Sequence, residues 1–199
     1  MSLLAYEGIV QVSETAERHY HFQKAREYCD KVGKPLLRIG VRRSIFEPPN
    51  GDVTLDIDPV VRGLLGGIWG DERKMPFRDK QFGYCFNEHT LEHLETPEDV
   101  ALAVKECVRV ADRAVFLAPS PYGLVATFFC PTHRLRLWFG QGKMFVVPNT
   151  WRTGLGLEAP AMTNEGVLLQ GIGNPISKRS KGLGQVLEVE GVAPIVELG

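Results

Sequence analysis

One five-residue pattern in the chain, His89-Thr90-Leu91-Glu92-His93, has residue types and a spacing that suit zinc chemistry. Two histidines four positions apart on a helix can bind one zinc ion, and a glutamate between them can activate a water molecule. The remaining histidines, His19, His21 and His133, form no metal-ligand pattern at a recognisable spacing. A zinc hydrolase therefore stays open as an alternative, but without a third ligand the sequence predicts no metal site.

A second group of polar residues follows the apolar stretch Phe82–Phe86, which is typical of a strand buried on both faces. These residues are Asn87, Glu88 and His89. His89 is the best candidate for a general base, because the pKa of an unperturbed imidazole lies near neutrality. A histidine at a strand end can also be purely structural, and that role is the alternative for His89.

The composition is that of an ordinary folded protein of one domain. The chain has 199 residues, of which 44% are hydrophobic and 24% charged, enough for a substantial core. The net charge of −1 gives no clear signal for nucleic acid as a partner. The four cysteines lie far apart and are expected to be free thiols. We find no targeting leader and no apolar run long enough for a membrane span, so we expect a cytoplasmic protein without membrane association.

Apolar periodicity and turn residues predict helices that alternate with strands. A helix is predicted from Glu14 to Lys31, with Gly33 as its stop. Strands are predicted over 35–39, 53–57, 66–70, 82–86 and 114–118, with a short helix over 60–65.

The helix after Thr96 has the strongest local signals. Thr96 is a capping residue, Pro97 suits the first helical position, and Asp99 lies where a capping-box acid belongs. The resulting series of strands and helices predicts an α/β fold, a three-layer sandwich with a Rossmann-like, mostly parallel sheet and helices on both faces. Ligands of such sheets bind beyond the carboxyl ends of the strands, so the residues after Ile39, Ile57 and Phe86 are candidates for a site.

The C-terminal part is less regular than the core over residues 14–120. We expect one domain over 1–199, in which residues 121–199 form a variable insertion or lid and the closing strands. The segment from Tyr122 to Thr163 resembles an insertion over the ligand edge. Residues 166–172 and 185–189 are predicted to complete the sheet as a hairpin.

The run from Gly70 to Asp99 resembles the middle of a class I S-adenosylmethionine-dependent methyltransferase, of the methyltransferase type 11-like kind. The pattern is G-D-x-x-x-(L/M)-P-F, then a strand, then L-E-H-L. The matching residues are Gly70, Asp71, Met75, Pro76, Phe77, Phe82, Leu91, Glu92, His93 and Leu94. The resemblance implies a Rossmann-like fold and transfer of a methyl group from S-adenosylmethionine, with S-adenosylhomocysteine as product.

The resemblance also implies which residues contact the cofactor: Gly40, Asp56, Ile57, Asp71 and Asn87. Asp56, near the end of the second strand, would bind the ribose, because a carboxylate can accept hydrogen bonds from two neighbouring hydroxyls. Asp71 would accept a hydrogen bond from the adenine amino group. The methyl acceptor, small molecule or macromolecule, is not identified by any motif, and a homo-oligomer is possible.

The first loop departs from the family pattern. The family follows the first strand with a glycine-rich turn, whereas this chain has Gly40-Val41-Arg42-Arg43-Ser44. The 16-residue spacing from Gly40 to Asp56 suits a short loop-helix connection. Three interpretations stay open. In the first, the loop binds the same cofactor in a modified way. In the second, the protein has lost methyl transfer and acts as a binding or scaffold protein. In the third, the pocket accepts another ligand with anionic groups.

Overall fold

The computed structural model of the chain describes residues 2–119, 130–140, 143–149, 167–170, 185–190 and 195–197. These residues contain helices α1 (Leu3–Val32) and α2 (Pro97–Val110) and the 3₁₀-helices Pro59–Gly63 and Leu91–His93. The strands are β1 (Leu36–Ile39), β2 (Val53–Asp56), β3 (Gly67–Trp69), β4 (Phe82–Glu88), β5 (Ala111–Ala118), β6 (Leu135–Gly140), β7 (Lys143–Pro148), β8 (Val167–Gln170), β9 (Gln185–Glu190) and β10 (Ile195–Glu197).

The larger of two sheets has the strand order β3-β2-β1-β4-β5-β9. The pairings from β3 to β5 are parallel, and β9 closes the sheet antiparallel to β5. Strands β2 and β3 lie on one side of β1, and β4 and β5 lie on its other side. The strand order therefore reverses between β1 and β4, which is the switch point where open α/β sheets bind ligands.

Helix α1 covers one face of this sheet. Phe22 and Cys29 of α1 pack with Leu36, Tyr84 and Phe86 of the sheet in one buried cluster. The helix ends at Gly33 as predicted, because its φ of 67° is a left-handed conformation that favours glycine. It begins at Leu3 rather than near Glu14, with the Ser2 hydroxyl accepting from the Ala5 amide. The sequence missed this first part because its apolar residues do not line up on one buried face.

Helix α2 covers the opposite face. Thr96 and Asp99 form the predicted reciprocal capping box, so the helix begins at Pro97. Its buried residues, including Val104, pack with Cys85 and Phe116. These two alternate along β4 and β5 with Phe86 and Val115 of the α1 face, and neighbouring residues of a strand point to opposite faces. The predicted three-layer α/β fold is confirmed.

A second, four-stranded sheet has the order β10-β8-β7-β6 and is antiparallel throughout. Buried side chains of β6 and β7, Leu135, Leu137, Met144 and Val146, join the core on the α2 side of the larger sheet. The predicted hairpin of residues 166–172 with 185–189 is wrong. β9 completes the larger sheet, but β8 pairs with β7 and β10. Of the predicted insertion, residues 122–129, 141–142 and 150–163 lie outside the described residues.

The four cysteines are free thiols, as predicted, with Cys29, Cys85 and Cys107 buried and Cys130 partly exposed. Among the described helices, including the 30-residue α1, none has a stretch that is both long and apolar enough to cross a bilayer.

Candidate functional site

A cavity of about 560 Å³ lies beyond the carboxyl ends of β1, β2 and β4, at the switch point of the larger sheet. Its lining combines residues at the ends of four strands, β1 to β4: Gly40, Asp56, Ile57, Asp71, Glu72 and His89 are among them. Five of the six predicted site residues thus meet in one place, although they are spread over about a quarter of the chain. This volume is typical of small-molecule sites in proteins.

Asp56 is held at the rim of the cavity by the backbone. Its Oδ2 accepts from the Val41 amide at 2.8 Å, and its Oδ1 accepts from the Asp58 amide at 2.8 Å. An ionised carboxylate offers about four acceptor positions, so two remain for a ligand. Beside it, Ile57 is exposed and presents an apolar side chain to the same cavity.

Gly40 lies where β1 meets the cavity. Its φ of 86° favours glycine, and a Cβ there would lie 3.0 Å from Cγ2 of Thr90. A side chain at position 40 would therefore strain the backbone and press against the turn after β4.

The connection from β1 to β2, residues 40–52, contains no helix, so the expected loop-helix connection is wrong. We call this segment the arginine loop. Its amides are occupied by side chains of the chain itself, since Asn50 Oδ1 accepts from the Arg42 amide and Glu47 Oε2 accepts from the Arg43 amide, both at 3.1 Å. Parallel strands are usually joined through a helix, whose first amides would be free to bind an anionic ligand. The arginine loop offers no such helix terminus.

The two arginine side chains of the loop point in different directions. Arg42 donates to the carbonyls of Ser44 and Ile45 and so stays within the loop. Arg43 lines the cavity and pairs with Asp58 at 2.9 Å. Because Arg43 is more than half exposed, its guanidinium can leave Asp58 at little cost.

A third arginine, Arg38 of β1, holds the arginine loop in place by hydrogen bonds from the sheet. It is 2% exposed and donates to the carbonyls of Pro48 and Pro49 and to Glu47. It also forms an ion pair with buried Glu88 at 3.2 Å. Burial lowers the pKa of Arg38 and raises that of Glu88, although each charge favours the other. Desolvation therefore outweighs pairing here, as is common for buried ion pairs.

Asp71 reaches the cavity but has a partner within its own turn. Nε and Nη2 of Arg73 lie within 3.0 Å of its carboxylate, and Nη1 of the same guanidinium binds Asp99 at 2.8 Å. Hydrogen bonds from Arg73 lower the pKa of Asp71. A ligand that binds Asp71 must share this carboxylate with Arg73, and the adenine role of Asp71 stays a prediction.

The structure does not bring Asn87 to the cavity surface. Asn87 is fully buried, and its amide donates to Glu72 Oε2 at 2.7 Å. The Thr90 hydroxyl lies 3.0 Å from Glu72 Oε2 and 2.8 Å from Asn87 Oδ1. Asn87 therefore positions Glu72 and Thr90 from behind, and a direct contact of Asn87 with a cofactor is not available in this arrangement.

Glu72 is a cavity residue that sequence reasoning missed. Burial raises its pKa to about 7, against the hydrogen bonds from Asn87 and Thr90 that favour the carboxylate. The Thr90 hydroxyl has one proton and can donate it either to Glu72 Oε2 or to Asn87 Oδ1. When it donates to Asn87, its oxygen can accept a hydrogen bond from a protonated Glu72. In the sequence, Glu72 is recognisable only as the neighbour of Asp71, and no local pattern indicates its burial. We call Glu72, Asn87, His89 and Thr90 the β4 wall.

His89 lines the cavity at the end of β4 with a left-handed backbone, φ 52°. Burial lowers the pKa of His89 well below its usual range, helped by the charges of Arg18, His133 and His93. The imidazole is therefore neutral at neutral pH. Because the 3₁₀-helix begins only at Leu91, His89 and His93 do not share a helix face, so the helical geometry of the zinc-hydrolase hypothesis is wrong.

A different group, Glu92, His93 and His133, does come together at the edge of the cavity. One ligand atom from each lies within 4.8 Å of the other two. Glu92 is 1% exposed, and burial, strengthened by the carboxylates of Glu72 and Glu14, raises its pKa to about 8. His133 lies far away in the sequence, and no spacing signal connects it with Glu92.

Solved structures to which the chain is similar include a protein from Pyrococcus horikoshii OT3, 16% identical, covering 85% of this chain and 90% of that one with a TM-score of 0.41. A SAM-dependent methyltransferase from Archaeoglobus fulgidus is 18% identical, with 64% and 73% coverage and a TM-score of 0.45. A Burkholderia thailandensis 1,6-didemethyltoxoflavin-N1-methyltransferase, solved with S-adenosylhomocysteine, is 8% identical, with 96% and 91% coverage and a TM-score of 0.36. No curated protein sequence matches the chain.

Residues 60–118 match the sequence model of a family described as "Methyltransferase domain". The matched span runs from the first 3₁₀-helix to the end of β5 and contains Asp71, Glu72 and the whole of β4 and α2. The match and the mostly parallel six-stranded sheet agree with the resemblance of the chain to class I S-adenosylmethionine-dependent methyltransferases.

Proposed function

We propose that the chain binds S-adenosylmethionine in the cavity and transfers its methyl group to an acceptor that remains to be identified. The observation that carries this proposal is the convergence of Asp56 and Asp71 on one cavity at the switch point of the sheet. A nucleoside has vicinal hydroxyls and an amino group as donors, and carboxylates at two strand ends are complementary to them.

The cavity residues fit such a cofactor in charge as well as in position. Asp56 keeps two acceptor positions for ribose hydroxyls, and Gly40 leaves room beside it. Arg43 is exposed at the same cavity and is suited to the cofactor's carboxylate. Asp71 supplies the predicted acceptor for the adenine amino group, shared with Arg73.

S-adenosylmethionine supplies an activated methyl group, so the protein needs chiefly to align an acceptor with it. His89 and Glu72 are the ionisable side chains of the β4 wall that line the cavity, together with the Thr90 hydroxyl. Glu72 is suited to accept a proton from a methyl acceptor at neutral pH, because its pKa is about 7, whereas neutral His89 is suited to accept a hydrogen bond. We assign the acceptor to this side of the cavity.

The second candidate function is a non-catalytic binding protein with a methyltransferase fold. The arginine loop favours it, because the amides of Val41, Arg42 and Arg43 are already satisfied by Asp56, Asn50 and Glu47. A loop saturated by its own side chains has fewer donors for a cofactor than a glycine-rich turn has.

Titration calorimetry with S-adenosylhomocysteine and S-adenosylmethionine separates the two functions. We expect binding to the native chain and a rise in melting temperature with ligand concentration. Asp56→Ala should weaken binding by roughly 10- to 100-fold, since a hydrogen bond to a charged group contributes about 1.5–3 kcal/mol.

Asp30→Ala is the matched control, because Asp30 is an exposed aspartate of α1 outside the cavity lining. It should bind like the native chain. No heat and no melting shift with either ligand at about 1 mM would favour the binding protein. Unchanged affinity in a folded Asp56→Ala variant would remove Asp56 from the site.

A further inference from the structure

The Glu92 carboxylate at the edge of the cavity is buried without the partners that such a group requires. Within the described part of the chain, neither of its oxygens has a hydrogen-bond partner. Two imidazole nitrogens lie beyond hydrogen-bond distance of Oε1, His133 Nε2 at 3.8 Å and His89 Nδ1 at 3.7 Å. Buried polar groups are nearly always satisfied, so this carboxylate is expected to have a ligand.

His93 is oriented to present a lone pair to the same place. Its Nδ1 lies 3.0 Å from the Thr132 carbonyl, which can only accept, so Nδ1 carries the proton. The lone pair of His93 is therefore on Nε2. A backbone carbonyl that fixes the tautomer in this way is a usual partner of metal-binding histidines.

The backbone fixes the three side chains relative to one another. The Arg134 amide donates to the Glu92 carbonyl at 2.8 Å, which ties the turn of His133 to the 3₁₀-helix of Glu92 and His93. The Asn149 side chain then donates to the His133 carbonyl at 2.9 Å. The rings of His93 and His133 are packed edge to face with centroids 4.9 Å apart.

From this arrangement we propose that Glu92, His93 and His133 bind one divalent transition-metal ion, with zinc as the best match. Two imidazole nitrogens and one carboxylate oxygen form a ligand set typical of zinc sites that keep an open position. Ligand atoms around tetrahedral zinc lie about 3.4 Å apart for bonds near 2.1 Å. The 3.8 Å contact and the 4.8 Å limit therefore require only small side-chain rotations toward the ion.

The ion would neutralise Glu92 and face the cavity. His93 and Thr132 belong to the cavity lining, and His93 is exposed, so an ion can enter from solvent and its open position can take a ligand atom from the cavity. In the sequence hypothesis, His89 and His93 bind the ion and Glu92 activates water, whereas here His133 takes the place of His89 and Glu92 is itself a ligand. It does not depend on cofactor binding, because none of its three residues belongs to the predicted nucleoside contacts.

Zinc titration of the full chain in competition with a chromophoric chelator tests the proposal. We expect one Zn²⁺ per chain, and visible absorption bands of a low-symmetry site when Co²⁺ replaces it. His93→Ala should weaken Zn²⁺ binding by at least about 100-fold, since even outer-shell changes reduce metal affinity roughly 10- to 100-fold. His93 is exposed, so its loss should leave the fold intact.

Glu92→Gln and His133→Ala should weaken Zn²⁺ binding as His93→Ala does. His19→Ala is the control, because His19 is an exposed histidine of α1 outside the cluster, and it should bind zinc like the native chain. The proposal is overturned if the native chain binds no stoichiometric Zn²⁺, or if folded His93→Ala binds it as tightly as His19→Ala does.

The same zinc-free protein can be titrated with S-adenosylhomocysteine. Zinc binding without nucleoside binding would support the metal site and reject the proposed function. Nucleoside binding without zinc binding would support the proposed function and reject the metal site.

Discussion

The arginine loop and the β4 wall enclose the same cavity but differ in the burial of their ionisable groups, since Arg42 and Arg43 are exposed whereas burial shifts the pKa values of Glu72 and His89. In the arginine loop, amides, guanidinium groups and carboxylates are paired with one another. The side chain of Arg38, in the preceding strand, makes three further contacts with the loop, to Pro48, Pro49 and Glu47. In the β4 wall, Glu72 has a pKa near 7. Next to that wall, neither oxygen of Glu92 has a hydrogen-bond partner among the described residues.

This difference separates a structural role from a chemical one. Groups that satisfy each other fix the shape of a loop, whereas buried ionisable groups with shifted pKa values mark places where protons or ions are exchanged. We therefore assign the shape of the cavity to the arginine loop and the chemistry to the β4 wall.

The largest expected effect comes from breaking the anchor of the arginine loop. Arg38→Ala leaves buried Glu88 with Arg18 at 3.5 Å as its remaining close cation among the described residues. Removing one partner of a buried ion pair destabilises a protein by about 3–5 kcal/mol. Urea unfolding should show this loss of unfolding free energy.

The double variant Arg38→Met with Glu88→Leu shows whether the loss comes from the uncompensated charge. Because desolvation outweighs pairing at both residues, we expect the double variant to recover most of the stability. Equal destabilisation in both variants would mean that the contacts of Arg38 with the loop carbonyls dominate.

The next effect concerns the β4 wall and depends on pH. The pKa of Glu72 is raised from 4.5 to about 7, so folding favours its protonated form. Its contribution to stability is complete below about pH 4.5 and is lost as the pH rises through about 7. Between pH 4.5 and 7 and above, the native chain should therefore lose at most roughly 3 kcal/mol of unfolding free energy through Glu72, and a glutamine at this position should abolish that loss.

Unfolding free energies of the native chain and Glu72→Gln at pH 5, 6, 7 and 8 measure this effect. The variant should gain stability relative to the native chain as the pH rises. Glu98→Gln, at an exposed glutamate of α2, is the control and should show no such trend. Parallel pH profiles for Glu72→Gln and the native chain would show that Glu72 is ionised throughout.

The smallest effect on stability is expected at Arg43. Its pair with Asp58 is exposed, so Arg43→Ala should change the unfolding free energy by about 1 kcal/mol or less. If Arg43 binds the cofactor's carboxylate, S-adenosylhomocysteine should bind roughly tenfold more weakly to this variant. Tighter binding would instead mean that Arg43 obstructs the cavity, and would move the arginine loop from a supporting to a blocking role.

Much of the fold was predictable because its signals are local. β1, β4 and β5 are apolar runs between turn residues, and Thr96 with Asp99 specifies the start of α2. The partner of β8 was not predictable, since an apolar run indicates a strand but does not specify which strand lies beside it.

The site was predictable only where a general rule of parallel sheets applies. Asp56 is the last residue of β2 and Asp71 lies in the turn after β3. The carboxyl ends of parallel strands meet at one edge of the sheet, so both residues could be expected there. The raised pKa of Glu72 and the approach of His133 to Glu92 depend on burial and on contacts between distant segments. Neither property is a function of sequence spacing.

A crystal structure of the chain grown with S-adenosylhomocysteine tests the proposed cofactor site. We expect the nucleoside in the cavity, with its ribose hydroxyls within hydrogen-bond distance of the Asp56 carboxylate and its sulfur toward the β4 wall. An empty cavity at saturating ligand, or a nucleoside bound without contact to Asp56, would contradict it.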